Sequence, residues 1–398
     1  MIRRYLHHVI ALLILAGIGI ANLNLNFAYT NDPDRYYHFA ISRQMKETGK
    51  LYVREIPQIK GIHWDEYFPD KEFLFHQFTG LGYRIGGENG ALVIIWLLAL
   101  TTVFLLYLLA ASRMAWWLAL CLTASLCGWG YLISRICLFR PQVPAILFFT
   151  VLLHGIHQRS RWLCMFATAL MALSYHGVFI PFTPIVIAGI SFFLFPENKL
   201  NERKIVAWSL LGLVVGVLIN PYFPSNLLLG WIHAQIPFLM KNDLSGVVFG
   251  AELYPFSTSI FKEAFTLPIL ILFLAVFSLH KTIENRKLKQ DLVLFTLTAG
   301  AFFLMATESP RAAEYWIPTS VFLSSILYTI WQTKEKYSKA LIILSLSFLV
   351  NYYQRAIHFR PVESSAMMEN FPYKCFLSSS FLYTSVSQLI KRGNSLLR

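Results

Sequence analysis

Charged side chains are scarce in this sequence. Asp, Glu, Lys and Arg make up 14% of the 398 residues, whereas 56% are hydrophobic and the mean hydropathy is +0.53. Because soluble globular proteins carry about 25% charged residues, the composition argues against a large soluble domain. The apolar residues form continuous runs, not the alternating segments of a membrane barrel. The composition therefore predicts an all-α polytopic membrane protein.

Cysteine and acidic residues are also few. Of five cysteines, Cys121, Cys127 and Cys164 lie within apolar runs, as small hydrophobic residues do. No Cys/His spacing typical of a metal site occurs, and Cys137 and Cys375 alone do not establish a disulfide. The formal net charge is +13. In short membrane loops this excess sets topology, so we expect membrane lipids and no nucleic acid as partners.

The apolar runs predict about eleven transmembrane helices. The first, at 9–21, follows Arg3 and Arg4 without an A-x-A cleavage site, which indicates an uncleaved anchor with a cytoplasmic N-terminus. The loops after the even-numbered spans all carry positive charge, in agreement with the positive-inside rule. The later spans are predicted at 91–111, 115–133, 142–157, 161–175, 178–195, 205–220, 264–281, 291–306, 314–332 and 339–353.

This topology divides the chain into a transmembrane module, 1–353, and a short external tail, 354–398. Two long loops lie on the external side, at 28–90 and 221–263. The first mixes helical signals with breakers such as Gly86 and Gly87, so we expect it to form short helices, some of them interfacial.

The candidate functional residues all fall on this external face. Ionisable groups near membrane depth are costly and indicate function by default. Asp34 and His38 are four residues apart, as are Glu72 and His76, so each pair shares a face if helical. A carboxylate beside an imidazole suits a general base or a metal site. The full set is Asp32, Asp34, His38, Asp70 and Glu72 as catalytic candidates, with Arg140, His176, Arg311 and Glu314 as substrate-binding candidates.

Structural explanations exist for several of these residues. Asp32 is suited to cap a helix that starts at Pro33, and Asp70 has a similar position before an aromatic run. Arg311 and Glu314 have the spacing of a local ion pair. Arg140 lies at the start of a predicted span, where an interfacial arginine is common. Arginine nevertheless suits a phosphate, because its planar fork is permanently charged.

The motif Asp32-Pro33-Asp34-Arg35-Tyr36-Tyr37-His38, placed just after a first span, resembles the GT-C glycosyltransferases. Within that superfamily it is most similar to the oligosaccharyltransferase catalytic subunit and to uncharacterised bacterial relatives. Protein O-mannosyltransferases and lipid A aminoarabinose transferases share the broader plan. The resemblance covers residues 1–330 as an architecture but only the first loop as a motif.

The resemblance implies an inverting membrane glycosyltransferase with a polyprenyl-phosphate-linked sugar donor. On this chain, Asp32 or Asp34 would act as the base or, with Mg²⁺ or Mn²⁺, as a metal ligand, and Arg311 and Arg140 would hold the donor phosphate. The active face would be external, which is periplasmic in a bacterium. No Trp-Trp-Asp acceptor signature is present, which argues against transfer to asparagine sequons.

Two other functions are compatible with the sequence. One is a multispan transporter or flippase for a lipid-linked or small anionic substrate. The other is an inactive homologue that serves as an assembly subunit. Transporters place ionisable groups near the bilayer midplane in repeated halves. Here the charged groups are predicted at one rim and no repeat is visible, which favours the transferase.

Overall fold

The computed structural model describes residues 2–27, 33–56, 66–127, 132, 135–136, 138–175, 177, 179–231, 258–280 and 283–332. Its regular elements in these ranges are helices. In chain order they are α1 (Ile2–Phe27), α2 (Pro33–Thr48), α3 (Phe73–Ala111), α4 (Trp116–Cys127), α5 (Gln142–Gln158), α6 (Arg161–Ser174), α7 (Phe182–Leu194), α8 (Lys199–Leu218), α9 (Thr258–Ser278), α10 (Arg286–Glu308), a 3-10 helix (Pro310–Ala312) and α11 (Ala313–Trp331).

Two of these helices, α3 and α10, are long and apolar enough to cross a membrane. A helix also overlaps each predicted span from 9–21 to 314–332. The predicted span 339–353 and the tail 354–398 lie outside the described residues. The all-helical class is therefore confirmed for the part of the chain that the structure describes, and the count of eleven spans stays a prediction.

The helix α2 starts and ends where its sequence dictates. Pro33 occupies the first turn, where its missing N–H costs nothing, and Asp34 lies in the same turn, where the helix dipole favours an acid. Gly49 follows the last residue with φ of 69°, a left-handed conformation that only glycine adopts without strain.

A sharp bend divides α3 into two arms. Gly86 and Gly87 have non-helical backbone angles, with Gly87 at φ of 61°. The arms then meet so closely that a Cβ on Gly82 would come 2.5 Å from the backbone oxygen of Gly90. The first arm, 73–85, belongs to the predicted external loop, and the second arm coincides with the predicted span 91–111.

The first arm of α3 and helix α2 pack together as one unit, which belongs to the predicted first external loop. The Ser42 hydroxyl donates to Thr79 Oγ1 at 2.9 Å across their contact. The Tyr222 hydroxyl, which belongs to the second predicted external loop, donates to the Val53 carbonyl and accepts from the Val53 N–H at 3.0 Å. These bonds fix the unit against the end of the bundle.

A buried polar cluster lies at the C-terminal end of α5, far from Arg140, which precedes the helix. Asp291 is 1% exposed, and His157 Nδ1 and Arg159 Nη2 lie 2.9 and 3.0 Å from its carboxylate oxygens. Arg113 Nη2 donates to His157 Nε2 at 2.7 Å. The 17 residues of α5 separate this cluster from Arg140 by about 25 Å. It joins the ends of α3, α5 and α10, so we assign it a structural role.

Candidate active site

Three side chains form a buried chain between α2 and the first arm of α3. His38 Nδ1 lies 2.9 Å from His76 Nε2, and His76 Nδ1 donates to Asp70 Oδ2 at 2.7 Å. The residues are 3%, 1% and 3% exposed, respectively. Because an ionised carboxylate only accepts hydrogen bonds, Asp70 places the His76 proton on Nδ1. The lone pair of His76 Nε2 then faces His38.

Glu72 completes the cluster. One ligand atom from each of His38, Glu72 and His76 lies within 4.8 Å of the others, and all three residues are buried. Asp70 also accepts the backbone N–H of Glu72 at 2.8 Å, so a single carboxylate orients the His76 ring and holds the backbone that carries Glu72. Metal-binding histidines usually donate their second N–H to a carboxylate in this way. The donor set thus fits a divalent metal.

Burial sets the protonation of the cluster. It lowers the pKa of His38 well below its ordinary value, and His76 lowers it further, while Glu72 acts in the opposite direction. His38 is therefore neutral at physiological pH, and its imidazole can donate a lone pair. Burial, with Glu72 and Asp70 nearby, raises the pKa of Tyr37 well above 10, so its phenol keeps its proton.

A cationic rim lies beside this cluster. Arg140 Nη2 forms an ion pair with Asp34 Oδ2 at 3.2 Å, and their side chains are 15% and 56% exposed. Lys71 Nζ lies 3.9 Å from Glu72 Oε1. Burial lowers the pKa of Lys71; the nearby Glu72 raises it and Arg311 lowers it further. Two arginines that are remote in sequence, Arg140 and Arg311, thus join Lys71 of the acidic first-loop segment.

A second ion pair links the two segments that carry Arg140 and Arg311. Arg135 Nε donates to Glu314 Oε1 at 2.5 Å, and the Glu314 side chain is fully buried. The pair connects the segment before α5 to the start of α11, directly after the 3-10 helix that holds Arg311. The sequence predicted Glu314 as a substrate contact; the structure pairs its buried carboxylate with Arg135, and the role in substrate binding stays a prediction. Arg135 was not among the predicted site residues.

The structure places most of the predicted site residues at this end of the bundle. It brings His38, Asp70 and Glu72 together, with Asp34 and Arg140 paired beside them. His76, which the sequence offered only as the partner of Glu72 at helical spacing, proves central to the cluster. Asp32 and His176 lie outside the described residues, so their predicted roles stay predictions.

Comparison with solved structures identifies the fold. The archaeal oligosaccharyltransferase AglB from Archaeoglobus fulgidus, in complex with an inhibitory peptide and a dolichol-phosphate, matches 96% of this chain with a TM-score of 0.55 and 14% identity. A second structure of an oligosaccharyltransferase from this organism, in complex with Zn and sulfate, matches 86% of the chain with a TM-score of 0.54 and 12% identity.

The chain spans 60% and 51% of the lengths of these two structures. No protein-family model matches the chain, and no curated protein matches it. The identities are low, so the likeness concerns the fold. The resemblance seen in the first-loop motif is confirmed at this level: the chain has a GT-C-like fold shared with the oligosaccharyltransferases.

Proposed function

We propose that this protein is a membrane glycosyltransferase that moves a sugar from a polyprenyl-phosphate-linked donor to an acceptor on the external face. The observation that carries the proposal is the meeting of three remote segments at one end of a GT-C-like bundle. The first loop supplies acids and imidazoles, the segment before α5 supplies Arg140, and the 3-10 helix supplies Arg311.

The cationic rim suits the donor phosphate. Guanidinium groups bind phosphate oxygens in a bidentate manner, and Arg140 is 85% buried, so the field of its charge is weakly screened. Arg311 acts electrostatically on Lys71, and Lys71 and Arg140 both act on His38, so the three charges contribute to one positive field. Preorganised charge of this kind stabilises the negative charge that grows on a leaving phosphate. The dolichol-phosphate in the AglB structure is consistent with this class of ligand.

Asp34 is our candidate for the base. Its side chain is 56% exposed at the mouth of the site, where an acceptor can reach it. In the proposed step, Asp34 takes the proton of an acceptor hydroxyl, and the acceptor oxygen bonds to the anomeric carbon. The bond from that carbon to the phosphate oxygen breaks, and the phosphate leaves with the electron pair, so that the configuration inverts.

A divalent metal would be held by His38, Glu72 and His76. When bound it would supply a Lewis acid beside the phosphate site. The sequence suggested Mg²⁺ or Mn²⁺ on Asp32 and Asp34. Two imidazole nitrogens disfavour Mg²⁺ and Mn²⁺, which prefer oxygen ligands, and favour Zn²⁺. The structure with Zn shows that a protein of this fold has been observed with such a metal.

The test is transfer from a synthetic polyprenyl-phosphate hexose by the full chain in proteoliposomes. Asp34→Asn should reduce the rate at least about 100-fold, the usual contribution of a general base. Glu88→Gln removes an acid just after the bend of α3, paired with Arg43 of α2 at 3.5 Å, and should leave transfer unchanged. Undiminished transfer by Asp34→Asn would refute the assignment. Substrate uptake into vesicles without a sugar donor would support the transporter alternative instead.

A further inference from the structure

The ion pair between Arg140 and Asp34 joins the two groups that the proposed function needs apart. Arg140 is needed by the donor phosphate, and Asp34 is needed by the acceptor hydroxyl. In the described structure the two side chains hold each other at 3.2 Å. A carboxylate that accepts from a guanidinium is a weaker base, because the nearby opposite charge stabilises its ionised form.

We propose that the donor phosphate displaces Asp34 from Arg140, so that the base is released only when the donor is bound. This inference rests on the proposed function and deepens it. Donor and carboxylate compete for one guanidinium, and the phosphate offers it two oxygens in the fork geometry that arginine binds best.

The structure indicates which partner moves. Arg140 lies in a tight turn: its N–H donates to the Leu138 carbonyl at 2.9 Å, and its own carbonyl accepts from Val143 at 3.2 Å. Its side chain is 85% buried. Asp34 lies in the first turn of α2 and is more than half exposed. A rotamer change of Asp34 therefore breaks this ion pair, whereas Arg140 stays in place.

Released from Arg140, Asp34 remains beside the buried cluster. Asp34 and His38 are separated by one helical turn on α2, so their Cβ atoms are neighbours on one face. The carboxylate is thus moved from the phosphate ligand towards the place where an acceptor hydroxyl would be activated. The order of events that follows is donor first and acceptor second.

Binding of decyl phosphate, measured by calorimetry on the full chain in detergent, tests the competition. If the pair between Arg140 and Asp34 must open first, the apparent affinity for decyl phosphate is reduced by the fraction of molecules in which Arg140 is paired with Asp34. Asp34→Asn should therefore tighten binding about fivefold, the upper range for a partly exposed ion pair. This gain in affinity would accompany the loss of transfer activity in the same variant.

A double-mutant cycle separates competition from simple charge repulsion. In an Arg140→Gln background, Asp34→Asn should no longer change the affinity for decyl phosphate. A gain that persists there would show mere repulsion and overturn the inference, although the phosphate site would stand. An equal gain in Glu88→Gln, which removes a similarly exposed acid from a pair with Arg43, would overturn it as well.

A different result would show that the phosphate site itself is wrongly assigned. If Arg140→Gln binds decyl phosphate as tightly as the wild type, Arg140 is not the phosphate ligand, and the proposed function loses that assignment together with the inference. Should Arg140→Gln not fold, Arg140→Lys closes the cycle. Lysine lacks the planar guanidinium of arginine, so the coupling energy between positions 140 and 34 should fall below the wild-type value. An undiminished coupling energy would contradict the proposal.

Discussion

The position of Asp70 leads to a prediction about metal affinity. Asp70 would not bind the proposed metal itself, but it holds the ring of one ligand, His76, and the backbone of another, Glu72. Its carboxylate accepts His76 Nδ1–H at 2.7 Å and the Glu72 N–H at 2.8 Å. Asp70→Asn keeps the shape of the side chain and removes its charge. We expect this change to lower the affinity for Zn²⁺ while leaving the metal site present.

The magnitude follows from the two hydrogen bonds. The bond between the ionised Asp70 and His76 is charge-assisted and contributes about 1.5–3 kcal/mol. The asparagine oxygen can still accept, so part of this energy is retained. Loss of the partner of a metal-binding histidine typically lowers metal affinity about 10- to 100-fold, which corresponds to about 1.4–2.7 kcal/mol. The two estimates agree.

Zinc affinity can be measured by competition with a chelating dye on protein in detergent. Asp291→Asn is the matched control, because Asp291 is equally buried and also contacts a histidine, at 2.9 Å. It lies about 25 Å away and should leave zinc affinity unchanged. Unaltered affinity in Asp70→Asn, or an equal loss in Asp291→Asn, would show that Asp70 does not orient a metal site.

Three further predictions concern stability. Glu314→Ala leaves the partner Arg135 buried without its carboxylate and should cost about 3–5 kcal/mol, seen as a lower midpoint of thermal unfolding; an unchanged midpoint would contradict the buried pair. Gly82→Ala should also lower the midpoint, because its Cβ would meet backbone of the opposing arm, whereas Gly17→Ala has open space and should not. The pKa of His38 is depressed in the folded protein, so the unfolded chain binds more protons below pH 6.5. The zinc-free protein should therefore lose up to about 1.4 kcal/mol of stability per pH unit below pH 6.5. Urea unfolding measures this loss, which should be weaker in His38→Gln.

Most of the described helices could be predicted from the sequence, because each apolar run ends at a charged or proline-containing segment. The predicted span 142–157 became Gln142–Gln158, and 161–175 became Arg161–Ser174. The bend of α3 was also signalled by Gly86 and Gly87. Its consequence, a close contact between Gly82 and Gly90, depends on the packing of the two arms.

The candidate site was less predictable, and the reason is sequence distance. The helical spacing of Glu72 and His76 correctly put two groups on one face. Their meeting with His38 depends on how α2 lies against α3, and local periodicity carries no information about that. The pairing of Arg135 with Glu314 joins residues 179 positions apart. The sequence therefore offered the local pair of Arg311 with Glu314 as the alternative.

The two polar ends of the bundle bring together different kinds of side chain. At the far end, the carboxylate of Asp291 faces His157 and Arg159. At the site end, two imidazoles face each other at 2.9 Å, and Lys71 lies within electrostatic reach of a second cation.

The site end thus gathers groups that can each exchange a protein partner for a ligand. His38 and His76 share a hydrogen bond at 2.9 Å, and a divalent metal would accept the same nitrogen lone pairs. Arg140 pairs with Asp34, and a phosphate would accept hydrogen bonds from the same guanidinium. These exchangeable partners, more than the acidic motif alone, mark this end of the molecule as the place where we expect ligands to bind.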